Sequence, residues 1–378
     1  MLSVPTTIEE DIIDASVEPQ TKVDLKGLLL EQLSELVAGM GQKPFRARQL
    51  MGWIHGKGVD DLTAMTDLGK GFRSQLGEVA FVSRLTSLQR DESATGEAVK
   101  FQFALPGGER IESVLIVDQN RRTVCLSSQV GCPLDCKFCA TGRMGFICNL
   151  EAGQIVDQFL QVAHFVEERG EKLTNVVMMG MGEPLLNYDN LVQAVRLIRL
   201  EYGPRVGGRK ITISTAGYLP GIRRLAREGL NLGLAVSLNA TSDELRERLM
   251  PINRKYKIAE LLEASREYFE LVGRRVTFEY ILLDGLTDAD EDALRLAELT
   301  RGFPCKINLI PYNELGEDTP FKRPKSARVQ QFRRVLEDAS PMAVTLRESR
   351  GRDIDAACGQ LFQAPVEPQQ KAADPAAR

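Results

Sequence analysis

Residues 121–146 read Arg-Arg-Thr-Val-Cys-Leu-Ser-Ser-Gln-Val-Gly-Cys-Pro-Leu-Asp-Cys-Lys-Phe-Cys-Ala-Thr-Gly-Arg-Met-Gly-Phe and contain four of the seven cysteines in the chain. Cys132, Cys136 and Cys139 are separated by three and then two residues, in a loop that also contains glycine and proline. Thiolates at this spacing can converge on one soft-metal centre. Because three ligands fit an iron–sulfur cube with one iron left open, the spacing predicts a [4Fe–4S] cluster.

A structural zinc ion is the alternative occupant of this loop. Zinc would require a fourth ligand at similar range and usually takes two pairs of cysteines. Cys148 is the only nearby candidate, and it lacks a partner cysteine. The iron–sulfur cluster is therefore the favoured prediction.

The composition is that of a folded chain with a large core. A length of 378 residues is enough for one large domain with an accessory piece or for two domains, and 43% of the residues are hydrophobic. No apolar run reaches the roughly eighteen residues of a membrane span, and the amino terminus lacks a signal peptide. Cysteines clustered at ligand spacing argue against a disulfide framework. We therefore expect a soluble cytoplasmic protein.

The formal net charge of −4 is concentrated at the amino terminus. Residues 1–20 contain five acidic and no basic side chains, so the remainder of the chain has a balance of +1. Basic residues then recur at Arg121–Arg122, Arg205, Arg209–Lys210, Arg223–Arg224, Arg274–Arg275, Lys322–Arg323, Lys325 and Arg333–Arg334. Each alone is typical of a solvated helix face, and only together do they permit an RNA-facing surface.

The amino-terminal part of the chain divides into a tail and a small helical unit. Residues 1–22 are acidic and show no sustained periodicity, which predicts a disordered tail. Residues 23–80 begin with an Asp24 N-cap and leucines at helical spacing, which predicts a helical accessory domain. Trp53 is interpreted as part of the core of this unit. Further short helices are expected at residues 45–50, 53–55 and 65–70.

Residues 81–350 read as strands followed by an alternation of strands and helices. The segment 80–129 predicts strands, with Gly107-Gly108 as a hairpin signal. The alternation that follows predicts an α/β fold, a partial (β/α) barrel with its chemistry at the carboxyl ends of the strands. Residues 351–362 form a separate segment around Cys358, and a disordered tail is expected at 363–378. The later strands are predicted at 175–179, 210–214, 232–238, 276–283, 305–310 and 343–347, and the helices at 151–168, 189–200, 219–228, 257–271, 288–300 and 326–338.

Four motifs accompany the cysteine loop and extend its pattern. They are Val-Cys-Leu-Ser-Ser-Gln-Val-Gly-Cys at 124–132, Val-Val-Met-Met-Gly-Met-Gly-Glu-Pro-Leu-Leu-Asn at 176–187, Ile-Asn-Leu-Ile-Pro-Tyr-Asn at 307–313 and Gly-Arg-Asp-Ile-Asp-Ala-Ala-Cys-Gly-Gln-Leu at 351–361. With Phe138 just before the third cysteine, the loop resembles that of the radical S-adenosylmethionine (SAM) enzymes. The whole set resembles the RlmN family of dual-specificity RNA methyltransferases, which modify carbon 2 of adenosine. The resemblance runs from about residue 24 to about residue 362 and implies a barrel of the radical SAM type.

The resemblance implies a SAM site at the strand ends. Gly182 and Glu183 follow an apolar strand, where glycine allows close backbone approach and the carboxylate can accept a hydrogen bond from the SAM ammonium group. An ordinary strand-to-helix turn is the alternative interpretation. Asn239 stands where the family usually has histidine, so this position is expected to bind rather than to transfer a proton. The full set of implied SAM contacts is Gly182, Glu183, Ser214, Ser237, Leu238, Asn239 and Asn313.

Three catalytic residues are implied by the same resemblance. Cys358, flanked by small residues, would carry a methyl group, and Cys125 would resolve the product. Glu112 would move a proton at the substrate, with a surface strand carboxylate as the alternative interpretation. Cys148 and Cys305 are interpreted as small buried side chains without a chemical role.

Carbon 2 of adenine is electron-poor and cannot attack the electrophilic methyl group of SAM. As the resemblance implies, one SAM methylates Cys358, and a second SAM, cleaved reductively at the cluster, takes hydrogen from that methyl group. The carbon then adds to the base, and Cys125 attacks the Cys358 sulfur as a proton leaves. A Cys125–Cys358 disulfide remains to be reduced, and two SAM molecules are consumed per turnover.

The implied partners are 23S rRNA, a subset of tRNAs modified beside the anticodon, and an external electron donor of the flavodoxin type, and we expect a monomer. The accessory unit would help to hold RNA through phosphate contacts of Arg46, Arg48, Lys57 and Lys70. Two alternatives stay open. One is a carbon-8 adenosine methyltransferase of the sister family, and the other is a non-catalytic, zinc-stabilised RNA-binding protein.

Overall fold

The computed structural model describes residues 22–316 and 319–361, and a ten-stranded mixed sheet lies at its centre. Apart from Lys22, the tails predicted at 1–22 and 363–378 lie outside the described residues. The strands are β1 (Val23–Asp24), β2 (Ala80–Phe81), β3 (Thr86–Glu92), β4 (Ala98–Ala104), β5 (Arg110–Asp118), β6 (Arg121–Cys125), β7 (Gln129–Gly131), β8 (Phe146–Asn149), β9 (Asn175–Met178), β10 (Ile211–Thr215), β11 (Gly233–Ser237), β12 (Val276–Leu282), β13 (Cys305–Pro311) and β14 (Ala343–Leu346).

The order of strands in the central sheet is β14-β13-β12-β11-β10-β9-β6-β5-β4-β3. Strands β9 to β14 pair in parallel in chain order, and β6 joins them in parallel to β9, with Thr123 opposite Asn175. Strands β3 to β6 form an antiparallel meander, with Gly108 at positive φ in the turn between β4 and β5. Within the described residues, β14 and β3 are the two ends of the hydrogen-bonded order. The predicted parallel α/β sheet is confirmed, and the barrel is partial.

In the described ranges, six long helices lie between the parallel strands at the predicted places, and one short α-helix among them, Asp243–Leu249, was not predicted. Each long helix begins and ends within two residues of its predicted bounds, and each parallel strand from β9 onward within one. No helix in the described part of the chain is long and apolar enough to cross a membrane. The helices are α1 (Leu30–Gly39), α2 (Phe45–Met51), α3 (Lys70–Val79), α4 (Ala140–Arg143), α5 (Ala152–Glu167), α6 (Tyr188–Ile198), α7 (Leu219–Ala226), α8 (Asp243–Leu249), α9 (Ile258–Val272), α10 (Asp290–Thr300) and α11 (Ser326–Ala339).

The core lies between this sheet and its helices. Ile213, Val236, Phe278 and Ile307, from four neighbouring parallel strands, are fully buried and belong to one hydrophobic cluster that also contains Leu261 of α9. Such apolar runs are typical of strands covered on both faces. The packing fixes the strand ends, which position the site described below.

The amino-terminal unit docks on helix α5 through a buried ion pair. Lys26 donates to Asp157, and the other carboxylate oxygen of Asp157 accepts from the Leu85 N–H and from the Gln161 side-chain amide, both at 2.7 Å. A buried pair of charges is tolerated when its remaining lone pairs are satisfied in this way. The short parallel pair of β1 and β2 closes the unit.

The prediction of a helix over residues 65–70 is wrong. A short 3₁₀ helix lies before it at Leu62–Ala64, residues 65–69 form turns, and α3 begins only at Lys70. Gly69 immediately precedes α3, and Phe72 and Leu76 bury the face of that helix at a spacing of four residues. The leucine-rich start also differs in detail, because Asp24 caps a 3₁₀ turn at Leu25–Gly27 and α1 begins afterwards.

The carboxyl-terminal segment returns across the sheet after β14. Arg350 forms ion pairs with Glu97 and Asp118 at the antiparallel edge. At the other end of the segment, the Ala140 N–H donates to the Gly359 carbonyl at 2.7 Å and the Thr141 hydroxyl to the Leu361 carbonyl at 2.6 Å. These contacts fix the segment around Cys358 against helix α4, which follows the cysteine loop.

Candidate active site

The cysteine loop is framed by the antiparallel hairpin of β7 and β8. Gly131 ends β7 at φ +72°, and a Cβ there would lie 1.8 Å from the Gly145 carbonyl oxygen, so only glycine fits. The Cys132 N–H donates to the same Gly145 carbonyl at 2.9 Å, and the Cys139 N–H donates to the Cys136 carbonyl at 3.1 Å. The loop therefore folds back on itself before α4 begins.

The three loop cysteines line one cavity of about 970 Å³, part of it open to solvent. Burial raises the pKa of all three thiols, and the neighbouring cysteines raise the pKa of Cys132 and of Cys136 further. Such thiols ionise together only beside a positive centre, because their thiolates repel one another. The donor set therefore fits an iron–sulfur cluster held by three thiolates, with one iron free for another ligand.

The spacing of these side chains also bears on the zinc alternative. Within residues 22–316 and 319–361, no three His, Cys, Asp or Glu side chains are grouped closely enough to hold a single metal ion. Four-coordinate zinc, with Zn–S bonds of about 2.3 Å, brings its sulfurs to about 4 Å from one another. Each cysteine of a four-iron cube binds a different iron and so stays farther from the others.

Five of the seven residues implied to contact SAM line the same cavity. They are Gly182, Glu183, Ser214, Ser237 and Asn239. Gly182 adopts φ +97°, and a Cβ there would lie 2.5 Å from the Gln129 Cβ, so this glycine lets the chain pass close to β7. The residues come from the ends of three parallel strands, which is where β/α barrels bind their ligands.

Glu183 is a buried carboxyl group at the junction of two strand ends. One oxygen accepts from the Ala216 N–H at 2.7 Å and the other from the Leu185 N–H at 3.2 Å. Burial raises the pKa of Glu183 to about 7, and these hydrogen bonds oppose the shift. The Thr215 side chain also hydrogen-bonds this carboxylate, and the remaining acceptor capacity of the group can still serve a ligand in the cavity.

Leu238, Asn313 and Asn239 have structural contacts of their own. Leu238 is fully buried in the core, and Asn313 donates to the Cys358 carbonyl at 3.0 Å while its buried Oδ1 has no partner among the described residues. Asn239, at φ +59°, accepts from the Ile281 N–H at 3.1 Å and donates to the Met250 sulfur at 3.4 Å. Asparagine tolerates this backbone conformation better than most residues. Its amide thus joins neighbouring elements at the cavity wall.

Cys125 and Cys358 line a second, small cavity of about 290 Å³. The Cys125 thiol is buried at the end of β6, and burial raises its pKa to about 12, with Cys358 adding to the shift and Arg347 opposing it. All seven cysteines are free thiols. The fold therefore brings together two cysteines that are 233 positions apart in the sequence.

Cys358 also lines a third cavity, of about 1490 Å³. This space lies among polar side chains near the starts of the parallel strands, including Asn175, Thr212 and Thr277. Cys358 thus belongs to the walls of the cysteine-loop cavity, the small cavity and the large polar cavity. Cys358 therefore lies where the three cavities meet.

Two residues that lie where the three cavities meet were not among the site residues predicted from the sequence. Arg347 lines all three cavities, and its pKa is raised chiefly by Cys358 and further by Glu279 and Cys125. Glu279 lines the two larger cavities, and one buried oxygen has no partner among the described residues while the other accepts from the Asn308 amide at 3.0 Å. A lone carboxylate inside the apolar run 276–283 was the available signal for Glu279. For Arg347 there was none.

Glu112 is 3% exposed, which excludes the surface carboxylate considered for it. Its carboxylate lies 3.6 Å from the Lys100 ammonium nitrogen and accepts from the Gln102 amide at 3.3 Å. On β5 it shares a face with Val114, which lines the small cavity beside Cys125.

Of the two cysteines assigned no role, Cys305 is buried and Cys148 half-buried.

This fold and cysteine loop define a radical SAM enzyme. The model of the Radical SAM superfamily matches residues 126–297, and that of the Ribosomal RNA large subunit methyltransferase N-terminal domain matches residues 23–82. Membership of this superfamily implies SAM and an iron–sulfur cluster as cofactors.

Similar proteins narrow the class further. The chain is 46% identical over 359 residues to a "Dual-specificity RNA methyltransferase RlmN" of Anaeromyxobacter dehalogenans, covering 93% of this chain and 95% of that protein. It is 46% identical to an RlmN of Pelobacter propionicus, covering 90% and 96% of the two chains. A crystal structure of a radical SAM methyltransferase from Sphaerobacter thermophilus superposes with a TM-score of 0.86 at 45% identity, covering 90% of this chain and 99% of that one. The chain belongs to the RlmN family of dual-specificity RNA methyltransferases.

Proposed function

We propose that this protein methylates carbon 2 of adenosine in 23S rRNA and in a subset of tRNAs, beside the anticodon, through a methyl group carried on Cys358. The observation that carries the proposal is the position of Cys358, which shares a small cavity with Cys125 and also borders both larger cavities. The proposal requires the Cys358 sulfur to receive a methyl group, to present it to a base and then to be attacked by a second sulfur. A position next to three cavities suits these three steps.

The two larger cavities are assigned to different ligands. In the first cavity, Cys132, Cys136 and Cys139 would hold the [4Fe–4S] cluster. The residues that would surround SAM are Gly182, Glu183, Ser214, Ser237, Leu238, Asn239 and Asn313. Leu238 and Asn313 do not line the cavity and would act by supporting the residues that do. When bound, the cluster and SAM supply radical chemistry that no side chain can provide. The polar third cavity would receive the adenosine, because its hydroxyl and amide side chains can bind a nucleoside.

The side chains then divide the remaining steps. The Cys358 sulfur accepts the methyl group of one SAM, and the second SAM of the turnover serves to activate that group. The unpaired electron left after the carbon–carbon bond forms would pass to a one-electron acceptor such as the oxidised cluster. The Cys125 thiolate then attacks the Cys358 sulfur and a disulfide forms, while the bond from that sulfur to carbon breaks with its electron pair going to the carbon. A proton taken up by that carbon completes the methyl group. Glu112 takes the proton that leaves the base. External reductants, a flavodoxin-type donor for the cluster and a thiol for the disulfide, restore the enzyme.

RNA would be held in part by the accessory domain, for which we propose bounds of 23–80, ahead of a catalytic core at 81–350 and a cysteine segment at 351–362. Arg48 and Lys70 are exposed and available for phosphate contact. Arg46 instead donates to the Asp67 carbonyl, and the Lys57 ammonium lies 3.5 Å from the centre of the Trp53 ring. We expect a monomer acting in the cytoplasm.

The product identifies the activity directly. Reconstituted protein would be incubated with SAM, a reductant and unmodified 23S rRNA or tRNA, and the RNA digested to nucleosides for mass spectrometry against authentic standards. The proposal predicts 2-methyladenosine. The appearance of 8-methyladenosine would assign the chain to the other position, and the absence of any methylated adenosine from a preparation with a full cluster would refute the proposal.

A further inference from the structure

Arg246 is a fully buried cation whose hydrogen-bond acceptors are all neutral. It lies on α8 with 0% exposure, and burial lowers its pKa to about 10. Its guanidinium donates to four oxygens: Ala216 O at 2.7 Å, Leu238 O and Ser237 O at 3.0 Å each, and Asn253 Oδ1 at 2.9 Å. A buried charge without a charged partner is costly, so a compensating negative charge is expected nearby.

Among the described residues, the carboxylate that acts on Arg246 is that of Asp243, and it already has other partners. Asp243 lies one turn earlier on α8, is partly exposed, and its Oδ1 accepts from the Asn253 amide at 2.9 Å and the Ile258 N–H at 3.0 Å. Of the groups that favour the charged form of Arg246, Cys136 acts more strongly than Asp243. A thiolate at Cys136 would therefore be a charged neighbour of Arg246 on the side of the cysteine loop.

The geometry places Arg246 directly behind that loop. The Lys137 N–H donates to the Leu249 carbonyl of α8 at 2.9 Å, and Cys136 packs against the apolar cluster that contains Leu249 and Met250. Two of the carbonyls that Arg246 binds belong to Ala216 and Ser237, which line the cysteine-loop cavity. The guanidinium thus backs the wall against which the cluster would lie.

We propose that Arg246 is the fixed counter-cation of the iron–sulfur cluster and raises its reduction potential. The inference rests on the cluster of the proposed function. Three thiolate ligands outweigh the positive charge of an oxidised cube, and reduction adds one further negative charge. A buried cation stabilises the reduced form more than the oxidised form, since the interaction grows with the charge of the cluster.

A purely structural role is the rival, because the planar fork of Arg246 also ties together the ends of β10 and β11. Two substitutions separate charge from shape. Arg246→Gln keeps a hydrogen-bond donor and loses the charge, whereas Arg246→Lys keeps the charge and loses the fork. Asn253→Ala removes a neutral partner and leaves the guanidinium in place, which makes it the control for local packing.

The measurement is the midpoint potential of the cluster in reconstituted full-length protein without RNA, from a redox titration followed by electron paramagnetic resonance. For Arg246→Gln we expect the ratio of reduced to oxidised cluster at a fixed solution potential to fall about tenfold, which corresponds to a midpoint about 59 mV lower. Arg246→Lys and Asn253→Ala should stay close to wild type. An unchanged potential in Arg246→Gln, or an equal shift in Arg246→Lys, overturns the inference.

If Arg246→Gln does not retain the cluster, Asn253→Asp decides the question. This substitution sets a carboxylate on the guanidinium without changing Arg246, so it should lower the potential, and an unchanged value overturns the inference. Failure of this inference can be distinguished from failure of the proposed function. A wild-type chain that binds no cluster refutes that function, whereas a methylating enzyme with equal potentials in all variants refutes only the role of Arg246.

Discussion

For Cys358, the sequence predicted a chemical role but not the side chains that surround it. Its identity came from a motif, and its small neighbours Ala356 and Ala357 indicated room around the sulfur. Its surroundings could not be predicted, because Arg347 and Glu279 reach it from two different parallel strands or their ends. Asn239 was interpreted only as a binding residue, and its amide also joins Ile281 and Met250. Side-chain roles that depend on packing between distant strands leave no local pattern.

At the same scale, Glu112→Gln tests proton removal. The amide preserves shape and the contact with Gln102 but cannot accept a proton, so a step that needs this base should slow on the order of 10²-fold. Rapid quenching would separate formation of the protein–RNA adduct from its resolution, and we expect only resolution to slow. Glu109→Gln, which changes a carboxylate just before β5, is the control. Equal slowing of both steps by Glu112→Gln would remove Glu112 from the role of base.

Among elements, those with strong periodicity were predictable and short polar ones were not. The apolar strands β9 to β14 and the long helices between them were predicted within two residues. Helix α8 was missed because Asp-Glu-Leu-Arg-Glu-Arg-Leu is only seven residues long and mostly charged. The Ser242 hydroxyl that caps it, accepting from the Leu245 N–H at 3.3 Å, was the available signal. The missed helix carries Arg246.

The cysteine loop is the element whose ligand set is tested most simply. Cys132→Ala, Cys136→Ala and Cys139→Ala should each lose bound iron and sulfide, because three thiolates are needed to hold the cube. Iron and sulfide analysis with visible absorbance, on anaerobically reconstituted protein, gives the readout. Cys148→Ala, in strand β8 of the same hairpin, should keep the full content. Retention of a complete cluster in any of the three ligand variants would contradict the assignment.

The amino-terminal unit should become less stable to unfolding in mild acid because of His55. Burial, and to a lesser extent Lys26, lowers the pKa of His55 from 6.5 to about 4. Between these values the unfolded chain binds a proton that the folded chain rejects, so stability falls as the pH drops through 6.5 and stops falling below about 4. From pH 7.5 to pH 5 the unfolding free energy should fall by about 2 kcal/mol through this group alone.

Trp53, the only tryptophan, lies in the same unit, so its fluorescence during urea unfolding reports the loss directly. His55→Phe should remove the pH-dependent part, and because one ring nitrogen of His55 is buried without a partner among the described residues, an apolar ring is tolerated there. Ile54→Val, which deletes one buried methyl group, should cost the same stability at both pH values. An unchanged pH slope in His55→Phe would contradict the account.

For the whole molecule, the parallel sheet was predictable from the alternation of strand and helix, because crossover connections leave few other arrangements. The joining of the antiparallel meander to the barrel through β6 and β9 was not predictable, nor was the return of residues 347–361 across the sheet. Both depend on pairings between segments far apart in sequence. Together they bring Cys125, at the end of β6, into the cavity that Cys358 enters from the carboxyl terminus.

The central claim is that Cys358 carries the carbon and Cys125 releases it. The most direct measurement is denaturing electrophoresis of Cys125→Ala protein after reaction with SAM, reductant and substrate RNA. A covalent protein–RNA species that shrinks on RNase treatment should accumulate, because the carbon–carbon bond forms and the second sulfur is missing. Cys358→Ala should give no such species. Normal turnover by Cys125→Ala, or an adduct in Cys358→Ala, would contradict the account.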